Sequence, residues 1–500
     1  VPVLLFINNN DNKRKMKESP VKRAIPSPLI SLLPILILVV LLSLVIYNFG
    51  SDSLTGASQV VLLTVSAIVV VIGVAVYKIP FSEFDKAIAE KIHGVAQAII
   101  LLLLIGSLSG AWMISGVVPT MIYYGVQIVT PQIFLAAGCV ICAIVSVLTG
   151  SSWTTVATIG IALMGIGNAL GFDPAWSAGA IISGSYFGDK ISPLSDTTVL
   201  ASGSTGTPLF THIRYMFITT IPSLTIALIV FLVAGFCQET TDSVLIQHYT
   251  NGLQSAFHIT PWLFLVPLFT VILIVKQWPS MAVLFMSTLA GTVAAMVAQP
   301  DVLDSIGSSV GDGMLHFKGV MRMLFGSTQI DTGDAMLNDL VATRGMGGMM
   351  NTIWLILCAM VFGGVMTASG MLDSIMQFCL RLAHKTVGYV TSTVVVGLIL
   401  NATTSDQYLA IILTSNMFKD AYRKKGLESR LLSRTVEDSV TVTSVLVPWN
   451  TCAMTQSAVL NISTFAYFPY CIFNIISPIM TILIAAIGYK IKVLKPEAEA

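Results

Sequence analysis

Of the 500 residues, 55% are hydrophobic and 10% charged, whereas an ordinary soluble domain carries about 25% charged residues; so apolar a chain would expose large sticky patches in water, which excludes a soluble globule. The formal net charge of +1 offers no field for nucleic acid or an acidic partner, and none is expected. The seven cysteines lie mostly in apolar runs, and the CxxC at Cys139 and Cys142 has no second pair to complete a zinc site, so neither a disulfide framework nor a resident metal is expected.

Residues 1–28 read as a cytoplasmic N-terminal segment in which Met16 is the expected start, residues 1–15 being expected not to be translated. From Leu29 to Tyr47 the chain is uncharged and apolar, near the roughly 20 residues that cross a hydrocarbon core at about 1.5 Å each. No small-residue cleavage site follows it, so it is read as a retained first span. Comparable runs cover 58–77, 97–118, 131–149, 153–170, 213–235, 261–275, 280–298, 350–369, 386–400, 406–418 and 469–489. Between the second and third, Phe81, Phe84, Ala87 and Ile88 accompany Glu83, Asp85, Lys86 and Glu90, the pattern of an amphipathic helix at the membrane interface. Gly106 and Gly110 place small residues on one helix face, which suits close helix packing.

The stretch 300–345, rich in Gly and Asp, reads as a connection between two transporter halves, 29–299 and 346–490, and 491–500 as a cytoplasmic tail. The expected fold is an all-α polytopic membrane protein of about 10–13 transmembrane helices, with inverted repeats and proline-broken or re-entrant helices. Basic residues orient it: Lys13, Arg14, Lys15, Lys17, Lys22 and Arg23 precede the first span, Lys490, Lys492 and Lys495 follow the last, and Lys419 to Arg434 holds six more. These regions should face the cytoplasm. Residues 236–254, with Glu239 and Asp242 and no Lys or Arg, should face outward.

Two polar blocks interrupt the apolar runs. The first is Gly184-Ser-Tyr-Phe-Gly-Asp189-Lys190-Ile-Ser192-Pro193-Leu-Ser195-Asp196-Thr197-Thr198. Pro193 must break or kink a helix there, freeing carbonyls and amides. Asp196, with hydroxyls from Ser192, Ser195, Thr197 and Thr198, has the oxygen chemistry of a hard-cation site. The second block joins Asn401 to Tyr408, with Thr404, Ser405 and Asp406, to Glu437 through Thr451, with Asp438, Pro448 and Asn450. Ser151 to Thr155 precedes the first broken segment as Asn401 to Asp406 precedes the second, which suggests an internal duplication.

Three acids inside a membrane would cost on the order of 8 to 10 kcal/mol unless paired or hydrated. Burial favours the protonated carboxyl and a bound cation favours the ionised one, so a single acid can exchange one for the other, which suffices for antiport. Asp196 and Asp406 are the leading cation or proton ligands, with Asp189 and Asp438 behind them and Ser195, Thr197, Thr404, Ser405 and Asn450 contributing oxygens. Blander readings stand beside these: Asp189 paired with its neighbour Lys190, Glu437 at the cytoplasmic boundary near Arg430 and Arg434, and hydroxyls bonding back to helix carbonyls. His93, His212, His248, His258, His316 and His384 are scattered without ligand spacing.

The block at 184–198, Ser-Asp-Gln-Tyr-Leu-Ala-Ile-Ile at 405–412 and Val-Pro-Trp-Asn-Thr-Cys at 447–452 resemble the NhaC family of bacterial Na+/H+ antiporters, which also includes malate/lactate antiporters. Gly110-Ala-Trp112, Pro119, Tyr124-Gly125 and Ser433-Arg434-Thr-Val-Glu437-Asp438 support the likeness, which spans most of residues 30–490; Met346 after Arg344-Gly345, where the family often has glycine, departs from it. The resemblance implies a bacterial inner-membrane antiporter from a larger group with inverted repeats; with both termini cytoplasmic by charge, the leading expectation is exchange of Na+ (or Li+) for H+ by alternating access among membrane lipid, and no cofactor is expected. The alternative it leaves is a Na+- or H+-coupled organic-anion exchanger, for which Lys190 and Arg214 are the basic residues near the first block. Neither HExxH nor GxxxxGK[ST] occurs, so a metalloprotease or an ATP-driven pump has no chemistry here and no enzyme activity is expected.

Overall fold

A computed structural model describes residues 26–49, 56–237, 243–332, 337–338, 341–381 and 385–492. The expectations about the translation start, about Lys13 to Arg23, Lys495, Glu239 and Asp242, and about most of the tail lie outside these residues. Among the described residues the chain is helical, with a single isolated bridge between Thr328 and Thr343. Eight helices among the described residues are long and apolar enough to cross a membrane, or up to ten if two sharply bent pairs each count as one span. Residues 174–205 and 407–460, which carry most of the two polar blocks, fall outside that count because breaks shorten their helices or Ser, Thr and charged residues dilute them.

The first helices are α1 (Pro28–Phe49), α2 (Ala57–Ala75), α3 (Phe81–Gly94), α4 (Ala96–Ile114), α5 (Val117–Ile128) and α6 (Pro131–Thr149). After Gly150 come α7 (Ser152–Thr155), a π turn (Val156–Gly160), α8 (Ile161–Ala169), α9 (Pro174–Ile191), α10 (Asp196–Thr205) and α11 (Leu209–Cys237). Next are α12 (Ser243–Ala256), α13 (Leu265–Val275), α14 (Ser280–Ala298), α15 (Pro300–Ser308) and α16 (Leu315–Phe325). The chain ends with α17 (Met350–Ala368), α18 (Met371–Arg381), α19 (Thr386–Thr404), α20 (Gln407–Lys424), α21 (Ser429–Val436), a π turn (Glu437–Thr441), α22 (Thr451–Leu460) and α23 (Ile472–Ile487). The apolar runs read from the sequence coincide with these helices to within a few residues, and the amphipathic stretch is α3.

Residues 300–345 are more than a tether, since α15 and α16 pack on each other and α16 packs on α4. Gly110 makes that packing possible, because a Cβ there would lie 2.1 Å from the Met323 carbonyl oxygen, and one at Gly106 would lie 2.5 Å from that of Gly345. The small-residue face is thus a packing face. The apolar cores cut across chain order: α1, α2 and α3 bury Leu38, Val65 and Phe84 with residues of α17 to α21, while a second core gathers α4 to α9 with Val442, Cys452 and Phe473.

The two polar blocks belong to a structural repeat. Gly150 and Ser405 both adopt positive φ (65° and 56°) at the ends of α6 and α19, and each is followed 43 residues later by a proline break (193 − 150 and 448 − 405). The same offset of 255 residues relates three hydrogen-bond pairs. Ser146 Oγ donates to Ser185 O at 2.6 Å, and Asn401 Nδ2 donates to Val440 O at 2.7 Å. Ser151 Oγ accepts from Thr154 N, and Asp406 Oδ1 accepts from Leu409 N. Ser152 bonds Asp189, and Gln407 bonds Ser444.

The hairpins α6–α8 and α19–α20 enter from opposite sides. At one end of the 29-residue helix α11, His212 Nδ1 lies 2.7 Å from Ser433 Oγ beside the base of the second hairpin. Toward the other end, Gly235 packs against Gln132 at the base of the first. With about 1.5 Å rise per residue, α11 separates the two bases by roughly the thickness of a bilayer. Opposed hairpin openings make the repeat an inverted one.

Candidate functional site

Both hairpin tips and both proline breaks converge on one cavity of about 920 Å³. Thr149, Gly150, Ser151, Thr154, Asp189, Asp196 and Thr197 line it from the first repeat, and Asp406, Gln407, Tyr408 and Thr451 from the second. Leu101 and Ile105 of α4 and Trp278 and Met281 at the start of α14 form apolar walls. Gly150 is needed at the first tip: its φ is left-handed, and a Cβ would lie 2.7 Å from the Leu194 backbone of the opposing break. Gly184 and Gly188 hold α9 against α6, where a Cβ at Gly184 would meet the Cys139 carbonyl oxygen at 2.0 Å.

Asp189, at the end of α9, is 5% exposed. Its Oδ2 accepts from Ser152 N at 3.1 Å and Ser152 Oγ at 2.7 Å, and its Oδ1 accepts from Ser195 Oγ at 2.6 Å. Ser195 Oγ lies 2.9 Å from Thr197 Oγ1. Pro193 ends α9, so the chain turns at Ser192–Ser195 and Asp196 starts α10 at the cavity, exposed to it. Carboxylates at helix starts are favoured by the backbone dipoles.

In the second repeat Asp406 is half-buried and caps α20 through Leu409 N at 2.8 Å, while Thr404 Oγ1 donates to its carbonyl. Ser405 Oγ is buried without a hydrogen-bond partner. Asn450 follows the Pro448 break and caps α22 through Cys452 N at 3.1 Å, its Nδ2 donating to Asn401 O. Gln407 Oε1 accepts from Ser444 Oγ at 2.7 Å, Gln407 standing in the place of Ser152 and Ser444 in the place that Asp189 holds in the first repeat. The fold thus brings Asp189, Asp196, Asp406 and Thr197 to one cavity, with Ser195, Thr404, Ser405 and Asn450 in the breaks and tips that build it.

Asp438 stands apart. It is fully buried away from the cavity lining and forms an ion pair with Lys190. The reading of Asp189 paired with Lys190 is therefore replaced: adjacent helical residues point in different directions, so Asp189 faces Ser152 and Ser195 while Lys190 crosses to the other repeat. Glu437 is likewise fully buried, not at a solvated boundary. Sequence reading missed Ser152, Gln407 and Lys91. Lys91 lies on α3, outside the spanning helices, with its Nζ buried and without a hydrogen-bond partner. Burial pushes its ammonium down to about 8, and the Asp406 carboxylate counters that push.

The family model described as the Na+/H+ antiporter family matches residues 4–199 and 184–489. The chain belongs to the Na+/H+ antiporter family. The Na(+)/H(+) antiporter NhaC of Alkalihalophilus pseudofirmus is 35% identical over 82% of this chain and 86% of its own. The malate-2H(+)/Na(+)-lactate antiporter of Bacillus subtilis is 34% identical over 78% of this chain and 81% of its own. The arginine/ornithine antiporter ArcD of Halobacterium salinarum is 31% identical over 93% of each chain. Family membership makes the chain a multi-pass transporter, and these relatives carry both bare cations and organic solutes by name, so the substrate must be argued from the cavity.

Proposed function

We propose that the protein exchanges Na+ for H+ across the bacterial cytoplasmic membrane by alternating access, with Na+ held in the cavity between the hairpin tips. The observation that carries this reading is the charge of the lining: three carboxylates, Asp189, Asp196 and Asp406, and neither Lys nor Arg. An organic anion would need a positive group there. Both basic candidates lie elsewhere, Lys190 being tied to Asp438 and Arg214 exposed on α11. Asp189 is the principal ligand in this proposal, because its oxygens are already organised with the Ser152, Ser195 and Thr197 hydroxyls. Asp196 and Asp406, capping or opening helices, supply field at the entrance, and Thr404, Ser405 and Asn450 shape the second tip.

The cavity rim includes Gln277 to Pro279, reached after α11 and α13 have each crossed. That is the side on which Lys419 Nζ bonds Ser204 O and the basic 419–434 connection lies. With basic loops cytoplasmic, the conformation described is open inward. The test is transport in proteoliposomes with cation and anion varied independently. Na+-driven alkalinisation or acidification without any organic anion is expected; transport that requires malate or lactate would overturn the Na+/H+ reading in favour of organic-anion exchange.

A further inference from the structure

Lys190, one residue past Asp189, is fully buried, and it sits at the centre of a second group of charges that the cavity does not use. Its Nζ pairs with Asp438 and donates to Ser477 Oγ at 2.9 Å, with the Phe473 ring centroid at 5.5 Å. Thr219 Oγ1 and Ser477 Oγ each donate to Asp438 Oδ1 at 3.1 Å. Arg434, also fully buried, has its Nε 3.8 Å from Asp438 Oδ2 and stacks at 4.6 Å over the Tyr215 ring. His212 is bonded to Ser433 through Nδ1, with Nε2 buried and unpartnered.

The remaining member is Glu437, which opens the π turn Glu437–Thr441. It is fully buried, and neither carboxyl oxygen has a hydrogen-bond partner, nor has the nearby Thr441 hydroxyl. Asp189, Lys190 and Asp438 are the charges that act on it. A buried ionised carboxylate without a donor is costly, whereas the protonated acid is not. Lys190, Arg434, Asp438, Asp189 and Glu437, all ionised, sum to one negative charge. Within these five groups, with Asp196 and Asp406 at the cavity entrance left aside, either Na+ at Asp189 or H+ on Glu437 brings the sum to zero, while neither leaves it negative and both leave it positive. Reorientation is cheapest for the neutral states.

We propose that Glu437 is the proton-binding group of the exchange, a site separate from the cation at Asp189, and that the two are coupled by charge through Lys190 and Asp438 instead of competing for shared oxygens. The step is Glu437–COOH giving up its proton to water on the side to which the cavity is open as Na+ binds Asp189 from that side, and regaining one from water on the opposite side as Na+ leaves there. This rests on the Na+/H+ reading above. Glu437 has no equivalent in the first repeat, where the 255-residue offset places Ile182, so the proton site belongs to one repeat and the cation site to the other.

The test is calorimetric titration of Na+ into the purified full chain in nanodiscs between pH 6.5 and 9, run in two buffers of different ionisation enthalpy. Wild type should release close to one proton per Na+ below the midpoint and about half a proton at it, and should lose Na+ affinity about tenfold per pH unit below it. Glu437→Gln should bind Na+ with little proton release and an affinity that changes no more than about threefold over this range, the share left to Lys91, and should lose coupled transport in liposomes. Glu437→Asp should keep proton release and shift its midpoint. Proton release persisting in full in Glu437→Gln, or an unmoved midpoint in Glu437→Asp, would overturn the proposal, because the proton would then sit on the cavity acids. Absence of Na+ binding by wild type at every pH would instead sink the exchange reading itself.

Discussion

The two hairpin tips share a backbone and differ in charge. In the first repeat Ser152 meets Asp189 and Ser195 completes the contact; in the second, at the same 255-residue offset, Gln407 meets Ser444 and Asn450 takes the place of Ser195. Left-handed tip residues, helix caps and proline breaks recur in both, because both must end helices inside the membrane and satisfy the freed amides. What does not recur is the buried carboxylate. One geometry therefore gives an ionic site on one side and a neutral amide and hydroxyl site on the other, so a duplicated scaffold need not mean two equivalent cation sites.

The largest effect should come from the charged member of that pair. Asp189→Asn is expected to reduce Na+-dependent exchange in everted vesicles by about a hundredfold or more, in line with the loss of a charge-assisted ligand, while Ser444→Ala leaves it within a few-fold. Equal losses at the two positions would show that the neutral Gln407–Ser444 contact also binds the ion and would erase the asymmetry.

A smaller effect is expected from the caps, which the repeats share. Ser151→Ala and Asp406→Ala should each destabilise the protein by about 1 kcal/mol, as cap removal does elsewhere, read as a fall in unfolding temperature in detergent. Asp406→Asn keeps the cap and should be nearly neutral in stability while weakening Na+ affinity a few-fold. If Asp406→Asn abolishes exchange as Asp189→Asn does, Asp406 is a direct ligand and the second tip is charged in function as well.

The smallest effect concerns the ammonium beside the second tip. Lys91 carries its charge below about pH 8 and loses it above, so at lower pH it repels cations approaching Asp406. Lys91→Gln should tighten apparent Na+ affinity by about threefold near pH 7 and change little near pH 9, a size fitting one partly screened charge. An identical shift at both pH values would detach Lys91 from the pH dependence of the site.

Much of the fold was legible because hydropathy is a local signal. Runs of apolar residues named the helices from Pro28 to Ile487, Pro193 and Pro448 named the breaks, and Gly106 and Gly110 named a packing face. The polar blocks were located in the same way. Their internal order was not, since spacing along the chain says which residues share a helix face but not what stands opposite. Asp189 looked paired with Lys190 for want of any other visible partner. The Gly184-x-x-x-Gly188 spacing was the signal that could have shown the face of α9 pressed on α6, and so which way Asp189 had to turn.

The sequence by itself determined that this chain lies in a membrane, where its helices run and break, and the family it resembles, because composition, proline and motif order are properties of short stretches. Only the tertiary structure decided which acids meet which partners. Lys190 finds Asp438 across 248 positions and Ser152 finds Asp189 across 37, contacts set by an inverted pairing of two hairpins. A buried charge is tolerated only where the fold supplies its counter-charge or its proton, and that supply comes from residues far away in the chain.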